Sequence, residues 1–366
     1  MMTRRPSVPI PASLSRFAAG LLCTLAVTLL VPSHAAAATD AGLRCETTSF
    51  AVNLSPSDSQ IYHVFGVLCA RGSLQHKTIQ VALHGSTYSH LYWDFPFQPE
   101  IYSYVRWATA SGYAVLNIDR IGIGQSDHPP ADQVTVESNA YVVHQIVQTL
   151  RGGELVLPKF GTVRAERVAL VGHSLGSLIS VQEAGTYGDV DGVVLTGMSH
   201  TVVTAALGEV QFYPANLDPH FAGRNIPDDY FTTVPGTRSV FYHAPFYDSR
   251  VLATDERTKE TTTLAELNTG VPALSFSTGI HVPVLVLVGN FDAAFCTAPN
   301  CAASGSLKGE PGFYPADACA EAIAIPGSGH VLNLHYTAPL TYVTVLGWLD
   351  RRVGNDTRRA ARGCTP

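Results

Sequence analysis

The sequence predicts an α/β fold, with a mostly parallel central sheet covered by helices on both faces. Three observations carry this. Short runs of Val, Ile and Leu recur without polar alternation, as strands buried on both faces require. Segments with apolar residues at helical spacing separate those runs. Hydrophobic residues make up 46% of the 366 residues and charged ones only 14%, below the ~25% usual for soluble domains. That composition supports a large core and excludes a disordered chain. At roughly 100–200 residues per domain, the length fits two small domains or one large domain with an insertion.

The first element is an export signal over residues 1–38. Arg4, Arg5 and Arg16 precede an apolar run, Phe17–Pro32, and small residues follow from Ser33 to Ala38. A basic start, an apolar stretch and an A-x-A-like site are the parts of a secretory signal, with cleavage between Ala35 and Thr39. The apolar run falls short of the ~20 residues of a spanning helix; the rival reading is a retained membrane anchor. Removing the signal leaves 20 basic against 29 acidic residues, and no later stretch is apolar enough to insert stably in a bilayer. The expected mature protein is secreted or extracytoplasmic. It carries no block of Lys and Arg to track phosphates, so no nucleic-acid partner is expected.

Beyond the signal, strand and helix runs alternate. Ile61–Cys69, Thr78–Leu83, Tyr113–Ile118, Val168–Val171, Val190–Leu195, Val282–Val288 and Ala322–Ile325 read as strands. Ile101–Ala110, Val134–Leu150, Leu175–Ala184 and Tyr336–Val353 read as helices. The rhythm breaks between Leu195 and Val282, where aromatic residues replace strong strand runs. A structureless loop of that length is implausible in a compact domain, so His200 to about Phe276 is expected to form a mostly helical cap. The organisation is thus a core of residues 39–199, a cap of 200–276 and a second core part of 277–366, with a smaller insertion at Ala293–Ala318.

Six cysteines remain after Cys23 leaves with the signal: Cys45, Cys69, Cys296, Cys301, Cys319 and Cys364. An even count in an exported chain points to disulfides. Cys45 and Cys69 lie in neighbouring strand-like runs and are expected to pair; the other four are left unordered. Cys296 and Cys301 lack the second tight pair and the His ligands of a zinc site, so no metal is expected there.

The chemistry-bearing motif is Val168–Gly176, VALVGHSLG. Gly172-x-Ser174-x-Gly176 follows an apolar strand and opens a helix, the context of a nucleophile elbow. The two glycines remove side chains that would clash there. The hydroxyl then projects into a pocket, with a helix N-terminus behind it.

From about Thr78 to Val353 the chain resembles the α/β-hydrolase superfamily, in its cap-bearing esterase/lipase-like branch. The resemblance implies the α/β-hydrolase fold, a mostly parallel sheet flanked by helices with a helical cap insertion, and a triad in the order nucleophile, acid, histidine. Ser174 is the implied nucleophile. Asp292, closing Val284–Asp292 (VLVLVGNFD), stands where the family's acid does. The alternative acid position, here Gly197-Met198-Ser199, holds no carboxylate. His330 follows the last strand in IAIPGSGHVL; His335 is its competitor and is expected inside the final helix. Leu83–Thr87 (LHGST) resembles the family's His-Gly oxyanion loop, which implies that the backbone N–H groups of Ser86 and Leu175 hold the oxyanion. His84 is expected to brace that loop. Asp119–Asp127 (DRIGIGQSD) looks like the loop after the next strand; it lacks the third glycine and acidic follow-up of a dinucleotide site.

The expected activity is that of a secreted serine hydrolase, cleaving a carboxylic ester or lactone of a small-to-medium apolar substrate. No cofactor or metal is called for. An imidazole of ordinary pKa, ~6.5, takes the serine proton at neutral pH, and the aspartate fixes its tautomer. Ser174 in place of an aspartate excludes dehalogenase and epoxide-hydrolase chemistry. Acyl transfer or peptide cleavage by the same triad, and a non-hydrolytic lyase or binding protein on the same fold, remain as alternatives.

Overall fold

The computed structural model describes residues 42–364. The expected signal peptide and Cys23 lie outside them. Leu43–Val52 (β1) and Tyr62–Arg71 (β2) pair antiparallel along their whole length, with Cys45 opposite Cys69, and those two cysteines are disulfide-bonded. Ile79–Leu83 (β3) is buried at every residue. Pro99–Tyr102 (α1) and Tyr104–Ala110 (α2) stand where one helix was expected. The chain goes extended at Ser103, whose hydroxyl then accepts the Arg106 N–H at 3.1 Å and starts the second helix.

Ala114–Ile118 (β4) is likewise wholly buried. Val136–Gly152 (α3) opens on a Thr135/Ser138 capping box and closes on Gly153 in the left-handed region. A hairpin of Leu155–Leu157 (β5) and Gly161–Val163 (β6) leads into Val168–His173 (β7), Leu175–Tyr187 (α4) and Gly192–Thr196 (β8). Every residue of α4 from Leu175 to Ala184 is buried. Its apolar surface therefore runs all round the helix rather than along one stripe.

Between β8 and the next strand of the sheet, the stretch expected to be mostly helical is mixed. Thr204–Leu207 (α5), Ser249–Arg257 (α6) and Leu264–Gly270 (α7) are short. Phe212–Pro214 (β9), Tyr230–Thr233 (β10) and Thr262–Thr263 (β11) form a three-stranded antiparallel sheet in the order β11-β10-β9. Strands of two to four residues are too short to leave a period-two pattern in the sequence. Threonine hydroxyls tie this sheet to its surroundings: Thr232 Oγ1 donates to the Glu260 carbonyl at 2.9 Å and Thr263 Oγ1 to the Val134 carbonyl at 2.8 Å.

Val284–Gly289 (β12), Cys301–Ser304 (α8), Glu321–Ile325 (β13) and Ala338–Arg352 (α9) complete the chain. The main sheet has eight strands in the order β1-β2-β4-β3-β7-β8-β12-β13; β2 runs antiparallel to both its neighbours, β1 and β4, and the strands from β4 to β13 run parallel. Alternate residues of one strand enter different cores. Val81 and Leu83 pack with Ile146 and Ile179 on one face, while Ala82 belongs with Tyr342 and Trp348 on the other. Two further disulfides, Cys296–Cys301 and Cys319–Cys364, resolve the late cysteines. Among the described residues, no helix is long and apolar enough to cross a membrane.

Candidate active site

Ser174 sits between β7 and α4 at φ 52°, ψ −119°, a conformation L-residues rarely adopt. Its N–H donates to the Thr196 carbonyl at 2.8 Å, which pins the turn to β8. The flanking glycines are needed for closeness. A Cβ on Gly172 would lie 2.6 Å from Gly176 O and Ser177 Cα; one on Gly176 would meet His84 O at 2.6 Å and collide with Leu83 O. The elbow thus wedges α4 against the end of β3.

The three sequence-assigned residues come together. His330 Nε2 lies 2.9 Å from Ser174 Oγ, and His330 Nδ1 lies 2.9 Å from Asp292 Oδ2. In this arrangement Nδ1–H donates to the carboxylate and Nε2 accepts the serine proton. Asp292 is fully buried in the turn after β12. Its Oδ1 accepts the Ala294 N–H at 3.0 Å, and its carbonyl the Cys296 N–H at 2.9 Å. His330 leaves β13 through Pro326–Gly329 and is held by its own N–H, donated to the Phe241 carbonyl at 2.9 Å. The Phe295 ring stacks on it at 5.8 Å between centroids.

His335 is not inside the last helix. It lies in the turn before α9, where its buried ring accepts the Gly329 and His243 N–H groups through Nε2 at 3.1 and 3.0 Å and donates Nδ1–H to Val331 O at 2.8 Å. Burial brings its pKa down to about 4, so it stays a neutral brace. His84 plays the same part for the other loop. Its Nδ1 lies 2.9 Å from Gly85 O, Nε2 accepts the Arg120 N–H at 3.1 Å, and burial together with the Arg120 charge brings its pKa to about 3.

Ser86 and Leu175 border the same cavity as Ser174 and His330. The loop carrying Ser86 passes close beside the serine: a Cβ on Gly85 would lie 3.1 Å from Ser174 Cβ. Leu175 opens α4, where N–H groups lack intrahelical partners. The cavity holds about 210 Å³ and is walled by Leu178, Leu207, Val210, Phe212, Phe241, Leu267, Val271 and Phe295. Among the described residues, no carboxylate, lysine or arginine lines it. Several wall residues come from the excursion between β8 and β12.

Two buried arginines escaped the sequence reading. Arg120 donates Nε–H to His84 O at 3.0 Å and Nη1–H to Asn139 Oδ1 at 3.1 Å, and pairs with Glu266 of α7. It joins the His84–Ser86 loop to the excursion. Arg238, beneath the Tyr88 ring at 4.3 Å, pairs with Asp255 at 2.7 Å and reaches Thr87 Oγ1 at 3.0 Å. The one available signal was a basic residue two positions past an apolar strand, at Arg120; nothing in the pattern around Arg238 marked it.

The model of the alpha/beta hydrolase family matches residues 80–343. No curated protein matches the sequence. Solved structures share the fold at low identity. E-2-(acetamidomethylene)succinate hydrolase is 18% identical over 83% of this chain and 100% of its own, with a TM-score of 0.51. DcsB, in complex with its substrate analogue, is 12% identical over 84% and 98%, at 0.53. The Pyrococcus furiosus esterase Pf2001 is 15% identical over 84% and 91%, at 0.50.

Proposed function

The chain belongs to the alpha/beta hydrolase family, and from that premise we propose that it is a serine hydrolase acting on a carboxylic ester or lactone of a small-to-medium apolar substrate. The observation that carries the reading is the continuous relay Ser174–His330–Asp292, with both links at 2.9 Å. His330 takes the Ser174 proton as Oγ attacks the acyl carbon. Asp292 holds the ring in the Nδ1–H tautomer and stabilises the imidazolium. The oxyanion settles against the N–H groups of Ser86 and Leu175, at the positive end of α4. His330 then protonates the leaving alcohol, and water cleaves the acyl-enzyme by the reverse relay.

The apolar walls of the cavity support an apolar substrate. Residues 200–276 act as the cap that shapes this cavity. Three disulfides support an extracytoplasmic protein released from the 1–38 signal. A fluorophosphonate probe tests the nucleophile directly. Wild type should be labelled stoichiometrically, and Ser174→Ala not at all; equal labelling of both would end the serine-hydrolase reading.

A further inference from the structure

At the far end of α4 from Ser174 lies a second cluster of chemistry-bearing side chains: His144 on α3, Glu183 on α4 and Asp189 just beyond α4. One ligand atom from each lies within 4.8 Å of the other two. Glu183 is fully buried, and neither of its carboxylate oxygens meets a hydrogen-bond donor. Asp189 Oδ1 is buried and unpartnered as well. An ionised carboxylate buried beside another carboxylate is costly, and either a shared proton or a cation between them relieves the cost.

We propose that His144, Glu183 and Asp189 form a binding site for a divalent transition-metal ion, Zn2+ in particular, that ties α3 to the C-terminal end of α4. The donor set is one imidazole nitrogen and two carboxylates. That mixture suits Zn2+, whereas Ca2+ takes oxygen donors. Tetrahedral Zn2+ with bonds of about 2.0–2.2 Å holds its ligand atoms roughly 3.4 Å apart. The cluster reaches that size with a shift of roughly 1.5 Å in the side chains of Asp189 and His144, the two partly exposed members.

The surroundings of the site hold its ligands as metal sites do. Gln148 Nε2 donates to Asp189 Oδ2 at 2.6 Å, and Arg151 Nε donates to the Asp189 carbonyl at 2.8 Å, fixing that residue from α3. The Tyr187 ring stacks on His144 at 4.0 Å and sets the plane of the imidazole. His144 Nδ1 already points at Asp189 Oδ2, 2.7 Å away, so the nitrogen that would bind faces the carboxylates. Partial exposure of His144 and Asp189 gives the ion its way in, while Glu183 forms the closed floor. The site is structural. Glu183 stands about 13 Å along the helix from Ser174, too far to touch a substrate.

The test uses the full disulfide-bonded protein, stripped with EDTA and titrated with ZnCl2. Wild type should take up one Zn2+ per chain, and its Tm should rise by about 5 °C at a hundredfold excess over Kd. His144→Asn and Glu183→Gln should lose both effects, and ester turnover by metal-free wild type and by His144→Asn should match. X-ray absorption of zinc-loaded wild type, which needs no variant to fold, should report one imidazole and otherwise oxygen. Absence of saturable uptake by wild type would overturn the site and leave a proton shared between Glu183 and Asp189. Uptake that survives both substitutions would also overturn it, assigning the ion to exposed pairs such as His281–Asp317.

Discussion

His335 Nε2 accepts the Gly329 N–H at 3.1 Å, one residue before His330. That bond, with a second from the His243 N–H, holds the histidine-bearing loop only while His335 is neutral. Burial lowers its folded-state pKa to about 4 from the ordinary 6.5. A base with a depressed folded pKa stabilises fully above pH ~6.5, and that contribution is lost as pH falls from ~6.5 towards ~4. The loss over that window is about 3 kcal/mol at most. His84, with a pKa of about 3, adds a slope of the same sign that continues lower. Urea melts across this range should flatten in His335→Gln relative to wild type. Identical curves would remove His335 from the acid response.

The relay sets the second expectation. Ser174→Ala and His330→Ala should each lower kcat by about 10⁴–10⁶-fold, and the double variant should be no worse than either alone, because the residues act as a unit. Asp292→Asn, which leaves the ring without its tautomer anchor, should cost about 10⁴-fold. His335→Ala should reduce stability more than turnover. If His335→Ala abolished turnover while His330→Ala remained active, the roles of the two rings would be reversed.

What the sequence disclosed follows from range. Ser174 directly follows the buried β7, Asp292 stands three residues past the buried β12, and His330 five residues past the half-buried β13; apolar strand runs of this kind announce themselves locally. The loop after each can be found by counting. The excursion between β8 and β12 has strands such as Thr262–Thr263, which exist only because β10 pairs with them. No local pattern encodes that. Arg120 and Glu266 lie 146 positions apart, and their burial as a pair is a tertiary fact. His335 was expected inside the final helix, but that helix opens only at Ala338, after the turn at Leu332–Leu334.

The Arg120–Glu266 pair gives the third expectation. Glu266 Oε1 also accepts the Asn139 amide at 3.2 Å, and Oε2 the Thr262 hydroxyl at 3.2 Å. Glu266→Gln leaves a buried guanidinium without its counter-charge, which should destabilise by about 3–5 kcal/mol. Arg120 also grips the His84 carbonyl, so kcat should fall as the Ser86 loop loosens. Thr263→Ala serves as the control. It removes the α7 cap, at about 1 kcal/mol, together with the hydrogen bond to the Val134 carbonyl, and leaves the arginine paired. Should Glu266→Gln keep wild-type kcat at temperatures where it is folded, the link from this pair to the loop would fail.

The disulfides should separate stability from activity. Cys296–Cys301 spans 5 positions and Cys319–Cys364 spans 45. By loop-closure entropy the short bridge contributes about 2 kcal/mol and the long one about 4 kcal/mol. Their neighbours reverse that ranking for turnover. The Cys296 N–H donates to the Asp292 carbonyl and the Cys301 N–H to the Asn290 carbonyl, both at 2.9 Å, so the short bridge clamps the two ends of the turn that carries the acid. Cys319 precedes β13, and Cys364 lies near the end of the chain, remote in sequence from Asp292. Replacing Cys319 and Cys364 by alanine should therefore cost more Tm and little kcat. Replacing Cys296 and Cys301 should cost less Tm and more kcat, most visibly as weaker labelling by the fluorophosphonate at fixed time. Thiol titration of the denatured, unreduced protein should find no free thiol. If the two double variants lost turnover in proportion to lost stability, the short bridge would be a staple like the long one, with no hold on Asp292.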